Sequence, residues 1–187
     1  DQFHYLAFYY KAQVLAKLNK HNDALAFFDK ALEIENEHLD SLFGKALSLV
    51  QINKQQEALD AFDKVNELSP SFADAFYHKG LLLSQLSNYT EALFCFDKAL
   101  EIDPSNADAL HQKGLLLVHL SRHTEAITAF DNALAINPNN VEIIYQKARL
   151  YVLTSKYQNA LKLFDHILAL DKNHVPALFD KGLVFEE

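Results

Sequence analysis

His119 and His123 stand four residues apart, a spacing that on one continuous helix would put two imidazoles on the same face and could hold a divalent metal. The residues between them argue for a different reading. Ser121 and Arg122 form a polar break, and no acidic or cysteine ligand follows until Glu125, so the pair is read as two surface histidines flanking a turn. Cys95 is the only thiol, so no disulfide can form within the chain; beside Phe96 it reads as a small buried hydrophobe rather than a nucleophile. A glycine-rich phosphate loop, a serine elbow and paired catalytic carboxylates are all missing from the sequence. The expectation is a non-enzymatic chain that needs no cofactor and no metal.

Two charged columns are the next candidates. Lysine recurs at Lys11, Lys45, Lys79, Lys113, Lys147 and Lys181, and aspartate at Asp29, Asp63, Asp97, Asp131 and Asp165. The lysines could form a ladder for anions. Equal and opposite columns are more simply structural: each aspartate precedes a lysine by sixteen residues, and that lysine's stem can pack on apolar neighbours. The expected role is register between packed helices, at about 0 to 1 kcal/mol per exposed pair.

The interval behind these columns is 34 residues. Ala24, Ala58, Ala92, Ala126 and Ala160 repeat at that period, and each is followed four places later by Phe28, Phe62, Phe96, Phe130 or Phe164. Repeats at 5–38, 39–72, 73–106, 107–140 and 141–174 follow one another without insertion, and a partial sixth occupies 175–187. Each contains two runs of helically spaced apolar residues, such as Phe76, Gly80, Leu83 and then Ala92, Phe96, Ala99. A helical hairpin per repeat is therefore expected. Pro70, Pro104 and Pro138 should stop three of the second helices, while Asn36 and Lys172 hold that place elsewhere. The eighth place of the repeat is always small (Ala12, Ala46, Gly80, Gly114, Ala148, Gly182), as is the alanine column, which lets the paired helices approach closely.

In its length and its register of small, small, aromatic, small and proline, this unit resembles the tetratricopeptide repeat (TPR) over residues 5–174. The resemblance implies an all-α fold, a right-handed superhelical solenoid of antiparallel helix pairs, in which the first helices line a concave groove that commonly binds peptides. One departure is the hairpin turn, where family members often carry glycine and this chain has Asn19, Asn53, Ser87, Ser121 and Ser155. Pentatricopeptide repeats, which read RNA, share a similar hairpin, but the uninterrupted period and the Ala, Phe, Pro pattern favour TPR. The lysine, asparagine and arginine clamp by which some members hold chaperone carboxylate tails is absent, the corresponding places carrying Tyr9, Gln13, Gly44, Asp74 and His78. So is the asparagine ladder of the arrays attached to O-linked N-acetylglucosamine transferases.

Function is expected where the repeats differ along the first helices. The fifth place reads Tyr9, Phe43, Tyr77, His111, Tyr145 and Phe179; the ninth reads Gln13, Leu47, Leu81, Leu115, Arg149 and Leu183. Four residues apart, the two places share one helical face. With polar neighbours His78, Gln112 and Gln146, they form an aromatic and aliphatic stripe suited to a peptide with apolar anchors. Tyr77, Leu81, His111, Leu115 and Tyr145, from the middle repeats, are the leading contacts. Part of the stripe can instead cover the core, and acidic residues such as Asp40 and Asp74 also suit a first helical turn.

The 187 residues, half of them hydrophobic, with four glycines and four prolines, suit one elongated domain over 1–187. A net charge of −8 argues against a grip on nucleic acid, and no apolar run is long enough to cross a bilayer. A cytoplasmic protein-binding scaffold is the reading. Its alternatives are a scaffold that assembles with itself and a regulatory or substrate-recruiting arm of a larger enzyme. Phe3 and His4 read as the tail of an earlier repeat. Val175, Leu178, Gly182, Leu183 and Phe185 restart the pattern up to Glu187 without a partner helix, so this end is expected to be exposed and prone to pair with another copy.

Overall fold

The computed structural model describes residues 4–185, all helices and turns, with no strand among them. Phe3 and Glu187, on which the sequence places the tail of an earlier repeat and the end of the sixth, lie outside the described residues. The helices are α1 (His4–Lys17), α2 (His21–Ile34), α3 (Leu39–Gln51), α4 (Gln55–Leu68), α5 (Ala73–Gln85), α6 (Tyr89–Ile102), α7 (Ala107–His119), α8 (His123–Ile136), α9 (Val141–Leu153), α10 (Tyr157–Leu170) and α11 (Val175–Val184). They fall into two compact bodies, residues 1–102 with α1–α6 and residues 103–187 with α7–α11. Each body is a succession of the expected hairpins.

One turn closes every hairpin. Asn19, Asn53, Ser87, Ser121 and Ser155 all sit in the left-handed region, with φ of 58°, 61°, 61°, 57° and 54°. In each turn the N–H of that residue bonds the carbonyl three residues back, and the next N–H reaches five back, as in Lys54 to Leu49 (2.9 Å) and Arg122 to Leu117 (2.8 Å). This double bond pattern satisfies carbonyls at the end of the first helix, and glycine is its usual occupant at the left-handed place. Here asparagine and serine adopt the conformation despite their Cβ atoms.

The second helices stop without needing proline. α2 ends at Ile34 and α10 at Leu170, the same register place as Leu68, Ile102 and Ile136, although only the last three have a proline two residues on. Glu35, Ser69, Asn137 and Asp171 all leave the helix with φ between −138° and −128° while each N–H bonds the carbonyl four back. The same stop forms with and without proline.

The core repeats with the chain. In the body of α1–α6, Phe28, Phe62 and Phe96 are buried against alanines such as Ala24, Ala58 and Ala92; Phe130 and Phe164 do the same in the other body. Burying each ring contributes about 1.5–3 kcal/mol. Gly80 and Gly114 stand where a Cβ would come within 2.9 Å of Phe96 and 2.5 Å of Phe130, so these eighth-place glycines make room for the ring. Gly44, at the sixth place, does the same over Phe28, whereas a Cβ on Gly182 would meet nothing.

Candidate functional site

The charged columns resolve as structural pairs. Lys45 binds Asp29 (2.7 Å) and Lys79 binds Asp63 in the first body, and Lys147 binds Asp131 and Lys181 binds Asp165 (2.5 Å) in the second. The lysine stems are mostly covered and the carboxylates half exposed. Lys11 rests its ammonium on the Phe27 ring at 4.1 Å. His119 ends α7 and His123 begins α8, so the pair straddles a turn as expected. Cys95 is buried, and burial pushes its thiol up to about 11, which leaves it protonated and inert at neutral pH.

The aromatic stripe divides in two. Five of the six fifth-place rings lean on the core phenylalanine of their own hairpin, Tyr9 on Phe28, Phe43 on Phe62, Tyr77 on Phe96, His111 on Phe130 and Tyr145 on Phe164, at 6.1–6.4 Å, while Phe179 is largely exposed. These rings roof the core first. Where the inter-repeat turn carries a ring, the fifth-place side chain also meets it: Tyr9 with His38 (5.0 Å), Phe43 with Phe72 (5.0 Å) and Tyr145 with His174 (5.5 Å). Where it carries asparagine, the side chain caps the next helix, Asn106 accepting from the N–H of Ala109 and Asn140 from that of Ile143, and His174 both meets Tyr145 and caps α11 by accepting from the N–H of Ala177.

One part of the stripe opens into a real cavity. In the first body, Tyr9 and Gln13 of α1, Phe43 and Leu47 of α3 and His78 of α5 border a groove of about 840 Å³. Gly44, the only glycine at a sixth place otherwise held by larger side chains, lets the Phe28 ring lie close against α3 and line the groove beside it. Asp40 and Asp74 stand at one end, exposed and without an ion pair to any described residue; Lys17 and His21 stand at the other. Gln13 donates a hydrogen bond to the Tyr9 hydroxyl, and burial, then the Asp40 carboxylate, raise that phenol above its ordinary value. Burial holds His78 below the ordinary histidine value despite nearby Asp74, so it lines the groove as a neutral ring.

Ser48 is the unexpected member. It is 1% exposed, lines the groove, and its Oγ has no hydrogen-bond partner; the Nδ1 of His21 is likewise buried and unpaired. An unmet buried hydroxyl costs about 1–3 kcal/mol. The sequence held a signal for it. The tenth place reads Val14, Ser48, Leu82, Leu116, Leu150 and Val184, and Ser48 is the only polar residue in that column.

The other candidate residues are placed less favourably. Tyr77 and Leu81 are half buried outside the groove, Tyr77 between Phe96 and His78. In the second body Leu115, Gln146 and Arg149 border a smaller hollow of about 400 Å³. Arg149 lies over the Tyr145 ring at 5.9 Å, and the Tyr145 hydroxyl donates to Asp180 at 2.8 Å. Gln146 donates to Glu142 at 2.6 Å, while Gln112 is half buried. His111 has a buried, unpaired Nε2 and is held below its ordinary value by burial.

Repeated antiparallel hairpins with a side-chain-lined groove on their first helices define an all-α helical-repeat solenoid protein. Two family models match: one described as "Anaphase-promoting complex, cyclosome, subunit 3" over residues 1–65 and 85–176, and one described as "Tetratricopeptide repeat" over 43–107. The chain belongs to the tetratricopeptide repeat family. No curated protein matches it significantly in sequence. Among solved structures, the chain is similar to YrrB, described as a TPR protein with an unusual peptide-binding site, at 26% identity and a TM-score of 0.80, covering 94% of this chain and 90% of that one. A MamA fragment from Desulfovibrio magneticus RS-1 shares the fold at 21% identity and a TM-score of 0.84, over 93% and 97% of the two chains. A TPR protein from Parabacteroides merdae shares it at 22% identity and a TM-score of 0.73, over 89% and 65%. Proteins of this family generally act as non-catalytic interaction modules, and no helix among the described residues is long and apolar enough to cross a membrane.

Proposed function

We propose that the chain is a non-enzymatic, cytoplasmic protein-binding module that holds a peptide or protein segment in the groove between α1, α3 and α5. The observation that carries this reading is the groove itself, a cavity of about 840 Å³ with apolar walls, unpaired carboxylates at one end and an unpaired buried hydroxyl at the other. Apolar walls with a few oriented polar groups are what a ligand site requires. The likeness to YrrB supports it. The contact surface centres on Tyr9, Phe43, Leu47 and His78 rather than on the middle repeats.

The test is selection of a displayed random-peptide library against the purified protein, with a Phe43→His, Leu47→Arg variant as control. Both replacements are side chains the array already carries at those places, His111 and Arg149, so the fold should tolerate them. Peptides that bind the parent and lose the variant support the groove. Enrichment of none, or of peptides indifferent to the variant, refutes it.

A second reading, assembly of the chain with itself, draws on α11 and the residue that follows it, where Val175, Phe179 and Phe185 are 71%, 65% and 70% exposed. Molecular mass that rises with concentration would support it, and a constant monomer mass would refute it.

A further inference from the structure

The groove is not a uniform apolar trough; its two ends have different chemistry. Asp40 and Asp74 each sit in the first turn of their helix, α3 and α5, and no lysine, arginine or histidine among the described residues forms an ion pair with either. The rings of Tyr9, Phe43 and Phe72 border the same groove. Unpaired carboxylates beside aromatic faces favour a cation with an apolar stem, the form of an arginine or lysine side chain.

The opposite end asks for hydrogen bonds. Ser48 is all but fully buried at a column that holds leucine in the next three repeats, with Leu82, Leu116 and Leu150 each no more than 3% exposed. The packing therefore accepts a leucine at this register, and a hydroxyl stands there without a partner. His21, at the start of α2, brings its unpaired Nδ1 to the same groove. A hydroxyl and an imidazole nitrogen between them can both donate and accept, and the group that answers both is a side-chain amide.

The length between the ends sets the spacing. Asp40 and Ser48 are eight residues apart on α3, about 12 Å along the helix axis. An extended peptide covers about 3.3–3.6 Å per residue, so that distance spans three to four residues. Resting on the peptide-binding reading, we propose that the groove selects an extended segment carrying an arginine or lysine at the Asp40–Asp74 end and an asparagine or glutamine three to four residues away, against Ser48 and His21. A net charge of −8 favours the approach of such a basic segment.

The experiment is fluorescence anisotropy with labelled alanine–leucine hexapeptides that place arginine and glutamine three residues apart, in both orders. Matched peptides carry glutamate for the arginine or leucine for the glutamine. The protein variants are Asp40→Asn with Asp74→Asn, and Ser48→Ala, with unchanged helicity by circular dichroism as the folding check. The arginine peptide should bind at least tenfold more tightly than the glutamate peptide, and the double variant should lose roughly tenfold of that affinity together with most of its salt dependence. Ser48→Ala should abolish the preference for glutamine over leucine without affecting the preference for arginine. Equal binding of arginine and glutamate peptides, or a double variant that binds like the parent, overturns the proposal. If the displayed library yields groove-dependent peptides without basic residues, the peptide-binding reading stands and this proposal falls; if it yields none, both fall.

Discussion

Replacing Ser121 and Ser155 by glycine should stabilise the protein. Both serines hold φ near +55°, where a residue with a Cβ pays about 1–2 kcal/mol and glycine pays almost nothing. Glycine also gains more freedom in the unfolded chain, which takes back about 0.5–1 kcal/mol. The net is roughly 0.5–1 kcal/mol per site. The two turns lie in different hairpins, so the effects should add to about 1–2 kcal/mol, a rise in melting temperature of about 2–8 °C for a chain of this size. Ser87 is a poorer choice because its hydroxyl accepts a long bond from Tyr89 at 3.4 Å. Asparagine tolerates the left-handed region better than serine, and the Asn53 side chain also accepts a bond from Gln55 at 3.1 Å, so Asn53→Gly supplies the control, with a smaller gain expected on both counts. Thermal and urea unfolding followed at 222 nm would measure all three. A serine pair that melts at or below the parent temperature, or an Asn53→Gly gain as large as that of either serine, would refute the claim that backbone strain at these turns limits stability.

Two further outcomes rest on the packing. Gly114→Ala, whose new methyl would press on Phe130, should cost about 1–3 kcal/mol, whereas Gly182→Ala, facing open space, should gain about 0.5–1 kcal/mol from helix propensity; urea midpoints of the two variants should move in opposite directions. Burial lowers His78 and His111 below 6.5, so the unfolded chain binds more protons as the pH falls; their contribution is in place above that value and lost as pH drops through it toward the folded values. Melting temperatures at pH 7.5 and 5.5 should differ less in a His78→Gln, His111→Phe variant than in the parent.

The fold was legible because the hairpin's requirements recur in fixed register. Small residues at the eighth and twentieth places and phenylalanine four residues after the latter leave one way to pack two helices. The lysine–aspartate pairs were legible for the same reason, since their sixteen-residue offset is constant. The groove was harder to read. The places where the repeats differ, taken in the middle repeats, selected Tyr77, His111 and Tyr145; their rings rest on Phe96, Phe130 and Phe164 just as Tyr9 and Phe43 rest on Phe28 and Phe62, but they lie outside the larger cavity. The groove is marked by residues that break their columns, Gly44 and Ser48, and their meaning depends on α1, the α2 start, α3 and α5 meeting around one space. The three prolines stand two residues after the ends of α4, α6 and α8, as expected, and α2 and α10 stop at the same register place without one.

The lysine–aspartate pairs carry a consequence for how such an array changes length. Each pair begins in the second helix of one hairpin and ends in the first helix of the next, so its two halves belong to different copies of the sequence unit. Excising residues 39–72 would set Asp29 sixteen residues ahead of Lys79, and duplicating them would create another Asp63–Lys45 offset of the same size. Every junction made in whole multiples of 34 residues inherits a matched bond, while a deletion of any other length leaves a cation and a carboxylate facing the wrong neighbours. The bond thus marks the same 34-residue interval that the buried core keeps.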